Sequence, residues 1–202
     1  IGRCRVFTPG WLENESIWLH MEYKYLLEIL KQGLYEEFYR EFKNCLIPFQ
    51  PPARYGRSIL ENSSFLVSSV FPDKDLHGEG FVARLSGSTA EFLQMWLIMN
   101  AGIKPFFLNE KGELNLSLKP ILAGWLFDRK GNYSFNFLSK ILVTYRNPGR
   151  KDTFGNNAVR PNSINFKDKD GEPIHLNSDI IPLPYASQIR SLLIKQIDLG
   201  LV

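Results

Sequence analysis

The sequence is poor in the residues that would make a function easy to read. It has two cysteines, Cys4 and Cys45, too few and too far apart for a disulfide framework or a zinc site, so free thiols are expected. It has three histidines, none with a metal-ligand neighbour, which argues against a metal centre of its own. No Lys/Arg block interrupts the chain, and the net charge is only +3, so no nucleic-acid face is expected. No apolar run is long enough to span a bilayer. A Ser-His-Asp arrangement and a P-loop are also missing. The expected partners therefore exclude nucleic acid and membrane, the expected location is cytoplasmic, and no cofactor is implied.

What is present is a change of periodicity along the chain. Between residues 13 and 46 apolar residues recur at helical spacing, first at Leu19, Tyr23, Leu26, Leu27 and Leu30, then at Leu34, Phe38, Phe42 and Leu46. Gly33 is a stop signal between the two runs, which predicts an αα-hairpin. Pro48, Pro51 and Pro52 end it. Residues 50–87 lack periodicity but carry too many large apolar side chains for disorder, so an ordered, functional loop is expected. Residues 88–101 read as a third helix, apolar nearly all round and hence buried, with Ser88 and Glu91 as its capping box. After Pro105 the period falls to two. Leu114, Leu116 and Leu118 alternate, as do Phe135 and Phe137, and residues 141–145 are rich in strand formers. Turn signals at 130–132 and 168–171 separate such runs. A helical turn near Ala186–Arg190 and a last strand are expected. The fold class is thus α+β, helices first and an antiparallel β-sandwich after, with a seam near Pro105.

Chemistry is suggested where hydroxyls and glycine meet a helix start, at Ser86-Gly87-Ser88. Unpaired amides and the positive dipole end there suit phosphate or carboxylate, although capping alone explains the same residues. A second cluster, Trp11, Glu13, Asn14 and Glu15, combines an aromatic ring with polar groups, as sugar binding requires. The loop contributes Tyr55–Ser58 and Glu61–Ser64. His20, His77 and His175 are read as structural or solvent-exposed.

The run from Ser86-Gly87-Ser88 through Ala101-Gly102-Ile103-Lys104-Pro105 to LNLSLKPILAGW, ending at Trp125, resembles the cellobiose phosphorylase-like enzymes of glycoside hydrolase family 94. That family carries Thr-Gly-Thr/Ser, a buried helix, Leu-Gly-Ile/Leu-Arg-Pro, and a strand leading to Pro and Trp. Upstream, PGWLENE at 9–15 resembles the family's Asn-Gly-Gly-Ile-Tyr-Asn-His with Gly10 and Asn14 in register. The resemblance implies that residues 1–105 are the last helices of an (α/α)6 barrel and residues 106–202 the β-sandwich that follows. It implies phosphorolysis of a β-linked oligosaccharide by inorganic phosphate, with inversion, and leaves room for a homodimer. The family's general acid, an aspartate, would lie upstream of residue 1, so the chain alone is expected to be inactive. Ser86, Gly87 and Ser88 would bind phosphate, and Trp11, Asn14 and Glu61 would bind substrate. In that register Glu15 stands where the family has histidine, and a carboxylate repels a phosphate dianion. Two alternatives follow: an inverting hydrolase with Glu15 as base, or a non-catalytic carbohydrate-binding β module.

Overall fold

The computed structural model describes residues 2–82 and 86–202; the side chains of residues 3, 4 and 86–88 lie outside what it describes. The chain folds as two compact units, Ile1–Met95 and Trp96–Val202. The boundary falls ten residues before the expected seam at Pro105, inside a helix.

In the first unit, strand β1 (Ile17–Trp18) leads into helix α1 (Leu19–Lys31), followed by α2 (Tyr35–Cys45). The expected hairpin is there, with Gly33 at φ +78° in the connection. Leu19, Leu26 and Leu30 on α1 and Phe38 on α2 are fully buried, each contributing about 1.5–3 kcal/mol through burial. The first helix starts at Leu19 and not at 13. Residues 11–16 are held in turns instead: Asn14 Nδ2 donates to the Phe7 carbonyl at 2.8 Å, and the Ser16 hydroxyl donates to the Leu12 carbonyl. Such side-chain bonds to nearby backbone compete with helix formation. Cys45 is a free thiol whose Sγ donates to Glu22 Oε1 at 2.9 Å. Burial first, then this carboxylate, push its pKa far up, so it is a poor nucleophile.

Over its described residues 50–82 the long loop is ordered. It holds a short helix α3 (Pro52–Tyr55) and two further strands, β2 (Phe65–Leu66) and β3 (Gly80–Phe81), which join β1 in an antiparallel sheet ordered β1-β2-β3. Tyr55 anchors it. The fully buried hydroxyl donates to the Glu61 carbonyl at 2.7 Å, accepts from the Ser63 amide at 3.0 Å, and lies 2.7 Å from the Ser63 hydroxyl. Gly80 lies against this hub, where a Cβ would collide with Tyr55 and Ser63.

Helix α4 (Ser86–Ala101) begins two residues earlier than expected, so Ser88 is inside the helix and not its cap. It is also not buried all round. Met95, Ile98, Met99 and Ala101 are buried, whereas Leu93 and Leu97 are 61% and 51% exposed. An apolar pattern tells which residues can be buried, not what covers them.

The second unit is β-rich. Strands β4 (Phe106–Leu108) and β5 (Leu114–Leu116) form a hairpin. Strands β6 (Asn132–Phe137), β7 (Ile141–Arg146), β8 (Pro161–Lys167), β9 (Pro173–Leu176) and β10 (Gln196–Leu201) form one sheet, ordered β6-β7-β10-β8-β9. The α+β class therefore holds, and pairing is antiparallel with one exception: β10 runs parallel to β7, with Ile197 opposite Val143. Alternate residues Ile141, Val143, Tyr145, Ile197 and Leu199 are fully buried on one face. Helix α5 (Tyr185–Arg190) reaches that side, with Tyr185 set edge-on to Phe166 at 5.3 Å between ring centroids. Three turns share one design. At Asn109, Asp128 and Asp168 the side-chain Oδ1 accepts from the amides two and four residues on, at 2.8–3.0 Å. A glycine at positive φ occupies the fourth position each time, namely Gly112, Gly131 and Gly171.

Candidate functional site

The site is built on the small sheet of the first unit. Cross-strand pairing sets Trp18 opposite Phe65, and Phe65 opposite Phe81, so three rings line one face. Trp11 extends the row. Its ring stacks on Phe81 with centroids 3.9 Å apart and planes 8° from parallel, and Phe71 tilts against it at 5.8 Å. At the other end, Trp18 meets the His20 ring at 5.6 Å. The result is a continuous aromatic strip, Trp11–Phe81–Phe65–Trp18, finished by an imidazole.

The strip is tied to the Gly10 turn through the backbone. The Ser68 amide donates to the Gly10 carbonyl at 3.2 Å, and the Gly10 amide to the Asn14 carbonyl at 2.7 Å. Gly10 packs onto the Phe71 backbone so closely that no Cβ would fit. At the opposite end, the Leu19 amide donates to the Ser64 carbonyl at 3.1 Å, which fixes the first turn of α1, and with it His20, against β2.

Buried polar atoms normally find partners. Around this strip several do not: Glu13 Oε2, His20 Nδ1, Ser64 Oγ and Ser68 Oγ are buried without a hydrogen bond. Backbone strain marks the same region. Leu12, Glu15 and Val82 are non-glycine residues at φ +50°, +63° and +54°. Such conformations persist where surrounding structure imposes them, often at binding sites.

The expected site residues divide accordingly. Trp11 belongs to the strip, but one face of its ring is taken by Phe81, so it offers an edge and not an open platform. Asn14 spends its amide on the Phe7 carbonyl and holds the turn. Glu15 is exposed. Glu61 lies elsewhere in the unit, pairing with Arg57 at 3.4 Å beside a cavity of about 200 Å³ lined by Tyr23, Ile47, Leu60, Asn62 and Phe92. The hydroxyls of Ser86 and Ser88, and the surroundings of Gly87, lie outside the described residues; the backbone there is the first turn of α4. His20 was passed over in the sequence because it has no ligand neighbours. Its signal is position, two residues after a strand that ends in Trp18 and inside the first turn of a helix. His77 is structural, its Nε2 lying 2.8 Å from the Phe71 carbonyl oxygen.

Among the described residues no group of histidine, cysteine and carboxylate side chains is arranged to hold a metal ion, and no helix is long and apolar enough to cross a membrane. Comparison with protein-family models and with curated proteins finds no match to this chain.

Proposed function

We propose that this chain is the C-terminal part of an inverting glycoside phosphorylase of the cellobiose phosphorylase type. Its helices would be the last of an (α/α)6 barrel, and its β-rich half the sandwich domain that follows. The observation that carries the reading is His20, a half-buried imidazole whose Nδ1 has no hydrogen-bond partner, at the end of an aromatic strip.

His20 also repairs the register of the upstream motif. With Asn14 set on the first residue of Asn-Gly-Gly-Ile-Tyr-Asn-His, Ile17 and His20 become identities and Trp18 replaces an aromatic. Glu15 then stands at a glycine position of the motif, which fits its φ of +63°. The motif histidine is His20, not Glu15, and the repulsion between a carboxylate and phosphate no longer arises. With it goes the motive for a hydrolase using Glu15 as base.

In this reading an imidazole N–H and the hydroxyls and amides of Ser86-Gly87-Ser88 hold inorganic phosphate. The phosphate attacks the anomeric carbon of a β-linked oligosaccharide and inverts it. The ring edges of the half-buried Trp11 and Trp18 offer apolar contact to sugar C–H groups. The aspartate that protonates the leaving oxygen lies outside this chain, and the chain by itself turns nothing over. The test is phosphate-dependent release of sugar 1-phosphate from β-gluco-oligosaccharides by the full-length protein. His20→Ala should lower kcat/KM for phosphate roughly 10- to 100-fold, the worth of a hydrogen bond to a charged group. Glu15→Gly should leave it unchanged. Equal rates in wild type and His20→Ala would remove the assignment.

A further inference from the structure

The second unit presents a different surface, the polar face of the five-stranded sheet, exposed at Ser134, Asn165 and His175 but buried at Thr144. Register lays one row of polar side chains across all five strands: Ser134 opposite Thr144, Thr144 opposite Asp198, Asp198 opposite Asn165, and Asn165 opposite His175. Neighbouring strands are about 4.8 Å apart, so the row is a ladder of hydrogen-bonding groups with steps comparable to one pyranose ring. Over β8, β9 and β10 it opens into a cavity of about 630 Å³, flanked by the half-exposed Leu193.

We propose that this cavity binds a neutral oligosaccharide laid across β9, β8 and β10, at a second, non-catalytic site. Charge selects the class. The lining carries Lys167 and Lys195 against Asp168 and Asp198, and Asp198 is further paired with Arg146 at 2.5 Å. With Arg146 counted, three cations stand against two anions, a surplus of one exposed, solvent-screened charge that is too weak to select a phosphate or a nucleic acid. The remaining polar groups are amides and an imidazole, which donate and accept together, as sugar hydroxyls require. They are already held in place. His175 Nδ1 lies 2.6 Å from Asn165 Oδ1, its Nε2 lies 2.8 Å from Asn177 Oδ1, and Gln196 Nε2 donates to Asp198 Oδ2 at 2.8 Å. A neutral imidazole donates from one nitrogen only. One of the two amides must therefore turn its NH2 to the ring and present its oxygen outward, as an acceptor for a ligand hydroxyl. Leu193, half-exposed at the rim, supplies apolar contact for a sugar's C–H face.

The site is tested by titrating cellohexaose at millimolar concentration into the 15N-labelled 202-residue chain. Amide shifts confined to residues 163–167, 173–177 and 195–198 are expected. His175→Ala and Gln196→Ala, both at exposed positions, should each weaken binding roughly three- to tenfold while keeping the dispersed spectrum. Absence of shifts in those segments overturns the proposal, as does affinity that neither variant changes. Inorganic phosphate moving the same amides at similar concentration would overturn the neutral class of ligand.

Discussion

At residue scale the informative position is Glu15. It is exposed and sits at φ +63°, where an L side chain costs roughly 1–2 kcal/mol. Glycine would remove that cost and give back about 0.4–1 kcal/mol through its greater freedom in the unfolded chain. Glu15→Gly is therefore expected to be neutral or to stabilise by up to about 1 kcal/mol, read as an unchanged or slightly higher Tm. A loss above about 1 kcal/mol would mean that the carboxylate makes an interaction that matters. The same residue shows where one-dimensional reading stops. A sequence shows that a glutamate is present, but not that its backbone occupies glycine territory. Without that, the register five residues further on, which the proposed function adopts, is not visible. His20 was missed for a related reason: an unpartnered ring nitrogen is a property of packing, and no spacing rule reports it.

At the scale of elements, the turn at Asp128 makes a pH-dependent prediction. The Asn132 amide, and then that of Lys130, donate to its carboxylate and hold its pKa below the usual range. A depressed folded pKa contributes stability that is present above the unfolded value, about 3.9, and is lost as pH falls through the folded one. Asp128→Ala should therefore lower Tm near neutrality, and the gap to wild type should close as pH drops below about 4. A gap that stays constant to pH 2 would show that the side chain only fills space. Much at this scale was legible. Helices α1 and α2, strands β6 and β7, the last strand and two of the three glycine turns follow from periodicity and turn chemistry, because their signals are local. The two-residue strands β1, β2 and β3 were not, since a period of two cannot be seen in two residues. The parallel β7–β10 pair joins segments about fifty residues apart, and neither segment names its partner. Helix α4 was read as fully buried because composition cannot say which neighbours exist; Leu93 and Leu97 remain exposed.

At the scale of the whole molecule, the two units differ in how their hydrogen bonds are secured. In the second, β7 and β10 are interior strands of a five-stranded sheet, each paired on both sides, and Ile141, Val143, Tyr145, Ile197 and Leu199 on them are fully buried. The Tyr145 hydroxyl also donates to the Asn100 carbonyl at 2.6 Å, and burial keeps its pKa far above the ordinary value, so this bond survives at any working pH. In the first unit the candidate site rests on strands of two residues each, beside loops with strained backbone and buried polar atoms without partners. Opening such a segment exposes little apolar surface, whereas opening β7 or β10 exposes most of a core. Hydrogen exchange should therefore be slowest at the amides of β7 and β10, at the level of global unfolding. It should be several orders of magnitude faster at Trp18, Leu66 and Phe81, and those amides should respond weakly to denaturant. If the phosphate reading is correct, adding phosphate should slow exchange at residues 17–20 and leave β7 and β10 unchanged, because a ligand protects only the opening it must reverse. Protection as high in the small sheet as in β7 would mean that the site is as rigid as the core, and that its strained turns cost less than their dihedral angles imply.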